Sequence, residues 1–496
     1  MEPCDLTAVA ARRLIGRKRL SPVELVESCI ARIEAVDHAV NAVVARDFER
    51  ALAAARKAAD QVAAGAVLPA LHGLPIGIKD LEDTAGLRTT KGSPIFRNYV
   101  PEADCALVAG LRAAGGLVLG KTNTPEFGAG ANTRNAVYGA TGNAFDPTRS
   151  AAGSSGGSAV ALALGMMPLC SGSDTGGSLR NPASFNGIVG FRPTPGLVPN
   201  ERRPLGWSNL PVLGPMARTV ADLCLLLSAM VGDDARDPLA ATVYGRIMRS
   251  AGEFAVPAVI DLSRLRVAAS ADLGFAPVER QIAAVFAEKT ALFANIFARF
   301  EPATPDCRDA DESFAILRAV NFLAAHLETV RTRPDDVGPN VRANVEEGLG
   351  YSAADVARAQ TQQTALYRRW QAFFDDHDIL LTPAITISPR PWSELYPAEI
   401  DGRATRSYFH WLALAYAPTL VGHPALSLPV GRDHHGLPFG LQIIGPRGGD
   451  ALVLAVAAAL EAQLAGDPRT ARPVPDIDAL RRAPPISDSP GFMGFD

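Results

Sequence analysis

Apolar positions along this chain keep switching between helical and strand periods. Ser21-Pro22-Val23-Glu24 reads as a capping box with proline at the first helical position, so a helix starts there and continues through LVESCIARIEAV. A second, Ala-rich helix is expected over about 46–64. Leu74, Ile76 and Ile78 then alternate in a run bounded by Gly and Asp, which predicts a short buried strand ending in Lys79. Helix is expected at 105–114 and strand at 117–120, and the alternation continues through 160–164, 168–170 and 189–191. Further helices are expected at 218–230, 278–298, 311–330, 353–377 and 451–464, with strands at 265–269, 379–381, 425–429 and 439–444. Alternation of this kind without internal repeats predicts an α/β chain: one large domain with a central mixed sheet covered by helices on both faces. The Pro-rich segment 471–496 is expected to be a loosely packed tail behind a main domain of residues 1–470. Within that domain the pattern suggests a helical N-terminal region (about 6–64), a central core (about 71–230) and a variable region (about 230–410).

Composition narrows the class. Of 496 residues, 48% are hydrophobic and 20% charged, so a large core is available, and the net charge of −4 gives no basic face for nucleic-acid phosphates. The six cysteines are dispersed without a CxxC pair, and the eight histidines include no HExxH, so a disulfide framework or a zinc site has little support. No metal and no cofactor is expected. The N-terminus has no apolar signal region, and no run approaches the ~20 apolar residues of a membrane span. A cytoplasmic protein without a membrane or nucleic-acid partner is the expectation, with a homodimer as one option for its assembly.

The chain is organised around residues 152–178, AGSSGGSAVALALGMMPLCSGSDTGGS, where two Gly/Ser turns bracket an apolar segment. A flexible linker would not be interrupted by such a core-like run. Two familiar patterns nearby fail on context. Gly115–Thr122 fits the letters of a phosphate-binding loop, but its apolar strand lies inside the match instead of before it. Gly153-Ser154-Ser155-Gly156-Gly157 fits GxSxG and nominates Ser155 as the nucleophile of an α/β-hydrolase-type esterase, with His410 or His423 as base; the preceding NAFDPTRSAA is polar and turn-rich where an elbow needs a buried strand.

A different constellation uses a lysine. A buried lysine loses its proton more easily and can serve as general base for a serine. In Asp174-Thr175-Gly176-Gly177-Ser178 the glycines let consecutive N–H groups converge beside a hydroxyl, as an oxyanion hole requires. A hydroxyl both donates and accepts, so Ser154 can pass a proton from Ser178 to Lys79.

The segments GLPIGIKD, KTNTPEF, AGSSGGSA, SGSDTGGSLRNPASFNGIVGFRPTPG, LLTPA, GHPALSLPV and LPFGLQIIGP resemble, in order, those of the amidase signature family, over nearly the whole chain from about 22 to 464. The resemblance implies a Ser–cisSer–Lys triad: Lys79 as base, Ser154 as the serine that follows a cis peptide, Ser178 as the acylated nucleophile. It implies an oxyanion hole at Thr175, Gly176, Gly177 and Ser178; Asp174 and Arg180 are assigned to holding the turn. Ala152 departs from the usual GGSSGG run, and a local backbone adjustment is expected there. The family includes aryl acylamidases, aliphatic amidases, carbamate (urethane) hydrolases and the glutaminase component of glutamyl-tRNA amidotransferase. A free-standing hydrolase of small-molecule amides, carbamates or esters is the reading favoured, with the glutaminase component of that complex as the alternative. Substrate-pocket candidates are Gly128, Ala129, Gly130 and Asn132 in the loop 127–133, Trp207, and Trp392, Tyr396 and His410 in the loop 389–410, where Tyr408 adds aromatic surface; the stretch 303–350 is a further candidate.

Overall fold

The computed structural model describes residues 2–240, 242–243, 246–247 and 249–494; Met1, the remaining positions of the variable region and the last two of the tail lie outside the described residues. Its centre is one mixed sheet of eleven strands. In chain order these are β1 (Val43–Arg46), β2 (Pro75–Lys79), β3 (Leu117–Thr122), β4 (Leu169–Asp174), β5 (Val189–Arg192), β6 (Val212–Ala217), β7 (Arg266–Ala269), β8 (Arg299–Pro302), β9 (Ile379–Pro383), β10 (Ala425–Arg432) and β11 (Pro438–Ile444). Across the sheet the order is β1-β3-β2-β4-β6-β5-β10-β11-β9-β7-β8. Helices flank the sheet.

The expected strand at 74–78 is β2, and it runs parallel to both β3 and β4. Parallel strands need cover on both faces, and every residue of β2 and β3 is buried. Lys79 therefore ends a strand in the interior of the molecule instead of at its rim. The pairing of Ile76 with Leu169 and Gly77 with Cys170 sets the C-terminal ends of β2 and β4 side by side. The helix Gly156–Ala163, buried at every position, joins the first Gly/Ser turn to β4 and brings the second turn back beside the first.

The capping box at Ser21 is present: Ser21 Oγ accepts from Val23 N–H at 3.1 Å while Glu24 accepts from Ser21 N–H at 2.8 Å, opening the helix Pro22–Val36. Two expectations need correction. The helix expected at 278–298 stops at Ala291; Phe293 and Phe297 are still buried, which prolongs the apolar pattern, but they flank a 3-10 turn, Ala294–Ile296. The segment 471–496 is no loose tail. It holds the helix Ile477–Arg482, Leu480 is buried in the main core, and Ile486 packs with Trp392 and Ala140. Gly115–Thr122 is largely β3 itself, and Lys121 is buried with its Nζ donating to Thr84 Oγ1 at 3.0 Å and to the Glu82 carbonyl, leaving no loop to cradle a phosphate. No helix among the described residues is long and apolar enough to cross a membrane.

Candidate active site

The ends of β2 and β4 and the two Gly/Ser turns meet at Lys79. Its side chain is fully buried, and Nζ donates to Ser154 Oγ (2.7 Å), Ser155 Oγ (2.9 Å) and Ser173 Oγ (2.9 Å). Three hydroxyl oxygens match the three hydrogens of an ammonium. When Nζ is neutral it keeps two hydrogens and gains a lone pair, so one of those serines must turn and donate to it. Burial favours that form: it pulls the Lys79 pKa from 10.5 down to about 7, against the opposing charges of Glu82 and Asp174.

The Gly153–Ser154 peptide is cis, as the resemblance implies, and Ala152 before it sits in the left-handed region at φ 57°. The left-handed region is one that glycine adopts readily, and the alanine keeps it here. The Ala152 carbonyl accepts from Thr133 N–H (3.0 Å) and Thr133 Oγ1 (2.7 Å), which hold the turn from outside.

Ser178 lies in the second turn, and its carbonyl accepts from Ser155 N–H at 3.3 Å, which joins the two turns. Ser178 is half-buried, and among the described residues no hydrogen bond engages its hydroxyl. Asp174 organises this turn. Its carboxylate accepts from Gly177 N–H (2.8 Å), Leu179 N–H (3.1 Å), Arg180 Nε and Nη2 (3.0 and 2.9 Å) and Arg192 Nη1 (3.3 Å). Burial opposes its ionisation, but Arg180 and Arg192 outweigh that and hold the carboxyl well below the usual range. Arg180 goes on to Ala415, Gln442 and Thr419 and ties the turn to the far half of the sheet.

The expected set of four oxyanion donors needs one correction. Gly177 N–H is spent on Asp174, whereas the N–H groups of Thr175, Gly176 and Ser178 have no acceptor among the described residues. Gly177 serves by conformation: it has φ 112°, and a Cβ there would lie 2.5 Å from Asn181 Nδ2. At Gly176 an added Cβ would lie 3.0 Å from Phe314 Cζ, so Phe314 forms a wall over the turn.

Ser155, the GxSxG candidate, is also corrected. No strand precedes it, its Oγ is taken by Lys79, and neither histidine nominated as its base reaches it. His423 bonds the Gly445 carbonyl and stacks on Phe374, and His410 pairs with Arg406. Ser155 and Ser173 are instead two of three oxygens that position the lysine. Ser173 and Arg192 are not singled out by the sequence; the alternation Ser171-x-Ser173 on β4, beside the strand carrying Lys79, is the signal that points to the former. Arg192 gives no local signal, because it reaches Asp174 only across the sheet.

The pocket candidates disperse. Gly128 faces the site: a Cβ there would lie 3.4 Å from Ser154 Oγ. Ala129 is buried beside it, its carbonyl accepting from Asn340, and a Cβ on Gly130 would lie 3.0 Å from Asn340 Nδ2. Asn132 is occupied in holding a loop, donating to the carbonyls of Trp392 and Glu394 (both 2.8 Å). Trp207 is 81% exposed and lines no described cavity, and Trp392 is packed in a small cluster with Nε1 donating to Pro147 O; neither is a pocket wall. Tyr396 is exposed at the edge of a void too small for a ligand. His410 lines a cavity of about 680 Å³ with Asp311, Glu347, Arg406, Phe409 and Tyr416. That cavity contains none of Lys79, Ser154 or Ser178; Tyr416 and Phe314, stacked at 4.3 Å, stand between it and Gly176.

A large mixed α/β sheet carrying a buried lysine among serines, beside a glycine-rich turn of free N–H groups, has the layout of a serine hydrolase without a histidine. Residues 24–454 match the family model described as Amidase, and the chain belongs to this family, the amidase signature enzymes, which makes it an amide-hydrolysing enzyme. It is 35% identical to an acylamidase of Rhodococcus erythropolis, over 92% of this chain and 95% of the relative. It is 36% identical to the A component of the Thermus thermophilus glutamyl-tRNA(Gln) amidotransferase, over 91% of this chain and 95% of the relative. Among solved structures, a bacterial aryl acylamidase superposes with a TM-score of 0.83 at 27% identity, covering 92% of this chain and 96% of the other.

Proposed function

We propose that this enzyme hydrolyses small-molecule amides as a free-standing acylamidase through a Ser178 acyl-enzyme, with Ser154 as relay and Lys79 as base. Ser178 Oγ attacks the amide carbonyl carbon, its proton passes to Ser154, and the Ser154 proton passes to Lys79 Nζ. The oxyanion is met by the N–H groups of Thr175, Gly176 and Ser178. The C–N bond breaks as the proton returns to the departing amine. Water then attacks the ester, gives its proton to the same relay, and releases the acid with Ser178 restored. The observation that carries the reading is the 2.7 Å contact of buried Lys79 Nζ with Ser154 Oγ, next to a turn whose hydroxyl and N–H groups are unengaged. The acylamidase relative and the absence of a basic surplus in the sequence favour a small-molecule substrate. Anilides and aryl carbamates are the proposed substrate classes.

The amidotransferase relatives supply the second reading, a glutaminase working within a complex. A panel of nitroanilides, aliphatic amides, aryl carbamates and glutamine separates the two. Turnover of anilides by the isolated chain supports the first reading; turnover of glutamine alone replaces it with the second. Ser178→Ala should remove at least about 10⁴-fold of kcat/KM, whereas Ser155→Ala should remove far less. Equal losses, or a mild loss in Ser178→Ala, would refute the assignment.

A further inference from the structure

The helix Ala310–Thr332 turns one face towards the site. Phe314 abuts Gly176, and His326, three turns on, lies 4.6 Å from the ring of Phe127, next to Gly128 and so near Ser154. Between them on the same face sits Arg318, one turn or about 6 Å along the axis from Phe314. Its guanidinium carbon lies 4.5 Å from the ring centroid of Phe322, 4.7 Å from Tyr408 and 5.1 Å from Phe409, so three aromatic rings surround it. Only 7% of the residue is exposed.

Five other buried arginines of this protein are neutralised or saturated. Arg32, Arg180, Arg192 and Arg203 each meet a carboxylate, and Arg218 meets four backbone carbonyls. Arg318 has one hydrogen bond, from Nη1 to Asn344 Oδ1, and no carboxylate within ion-pair distance among the described residues. Glu347 acts on it only at longer range, and burial draws its pKa down to about 9, which leaves it cationic at neutral pH. A guanidinium buried without an acid is expensive, and cation–π contacts offset only part of that. Asn344 is fixed in turn by Asn340 and Tyr408, and Asn340 holds the loop over Ser154 through the Ala129 carbonyl. The cation is thus linked through Asn344 and Asn340 to the loop beside Ser154, with four of its five donors unspent.

We infer that Arg318 is a receptor for a carboxylate on the substrate, and that amides carrying an anionic group on the acyl or amine side are preferred over neutral ones. This rests on the reading that the Gly176 turn receives the amide carbonyl. A bidentate carboxylate would take two of the free donors and supply the missing counter-charge.

The test is calorimetric binding to the Ser178→Ala protein, which separates recognition from turnover. Glutaric acid monoanilide is compared with pentananilide, and 4-(butyrylamino)benzoate with butyranilide. At least one anionic amide should bind tenfold or more tightly than its neutral twin. Adding Arg318→Gln should erase that preference while changing the neutral twin less than threefold, and Arg318→Lys should retain part of it. Equal affinity of the twins, no binding of either anionic amide at millimolar concentration, or parallel weakening of both twins in Arg318→Gln would overturn the inference; the last would make Arg318 an internal brace. Failure of the nucleophile assignment shows separately, as hydrolysis of these anilides by the Ser178→Ala protein.

Discussion

The base strength of Lys79 is the feature most directly open to attack. A lysine at its ordinary pKa of 10.5 is neutral about three times in ten thousand at pH 7, whereas one at about 7 is half neutral. Burial therefore raises the population of the competent form roughly a thousandfold. The amidase should gain kcat/KM as pH rises through about 7, reach a plateau above it, and lose about tenfold per pH unit below. The same shift has a stability signature. The folded pKa lies below the unfolded one, so between about 7 and 10.5 the unfolded chain binds the extra proton and stability rises with pH. Below pH 7 the full penalty, about 5 kcal/mol, is present. In Lys79→Met that penalty is gone. The stability of wild type relative to the variant should therefore increase by about 2 kcal/mol from pH 7 to 9 and by less than about 0.5 kcal/mol from 6 to 7. Urea titrations of both proteins at pH 6, 7 and 9 measure it, with group titrations elsewhere cancelling in the difference. A pH-independent difference together with a kcat/KM profile flat from pH 5.5 to 8 would refute a neutral lysine base.

Two further outcomes follow from the same turn. Asp174→Asn leaves Arg180 and Arg192 buried without a carboxylate, and should lower stability by about 3–5 kcal/mol and abolish activity; a change in urea midpoint worth under about 1 kcal/mol would show that the cluster is not electrostatically coupled. Gly177→Ala forces a side chain into a φ of 112° with its Cβ 2.5 Å from Asn181, and should cost at least about 100-fold in kcat at nearly unchanged KM. Activity within tenfold of wild type would mean that the N–H groups of this turn do not hold the oxyanion.

Much of the fold and of the site is legible in the residues because its signals are local. The capping box at Ser21, the alternation that ends in Lys79, and the glycines flanking Ser154 and Ser178 each express a backbone need of a few adjacent residues. Family-specific letters add the pairing of Lys79 with Ser154, which spacing alone leaves beside the GxSxG alternative. Tertiary structure decides whatever depends on long-range approach. It turns Ser155 from candidate nucleophile into a ligand of the lysine, because β2 and β4 end side by side. It takes Gly177 N–H out of the oxyanion set, because the Asp174 carboxylate folds back onto it. Aromatic residues are the least legible. Trp207 and Trp392 look like pocket walls in the sequence, yet one is exposed and the other packed away, while Phe314 abuts the turn at Gly176. An aromatic side chain suits a core, a surface or a cavity equally well. Its partners across the sheet determine which, as burial determines whether Lys79 is an ordinary charge or a base.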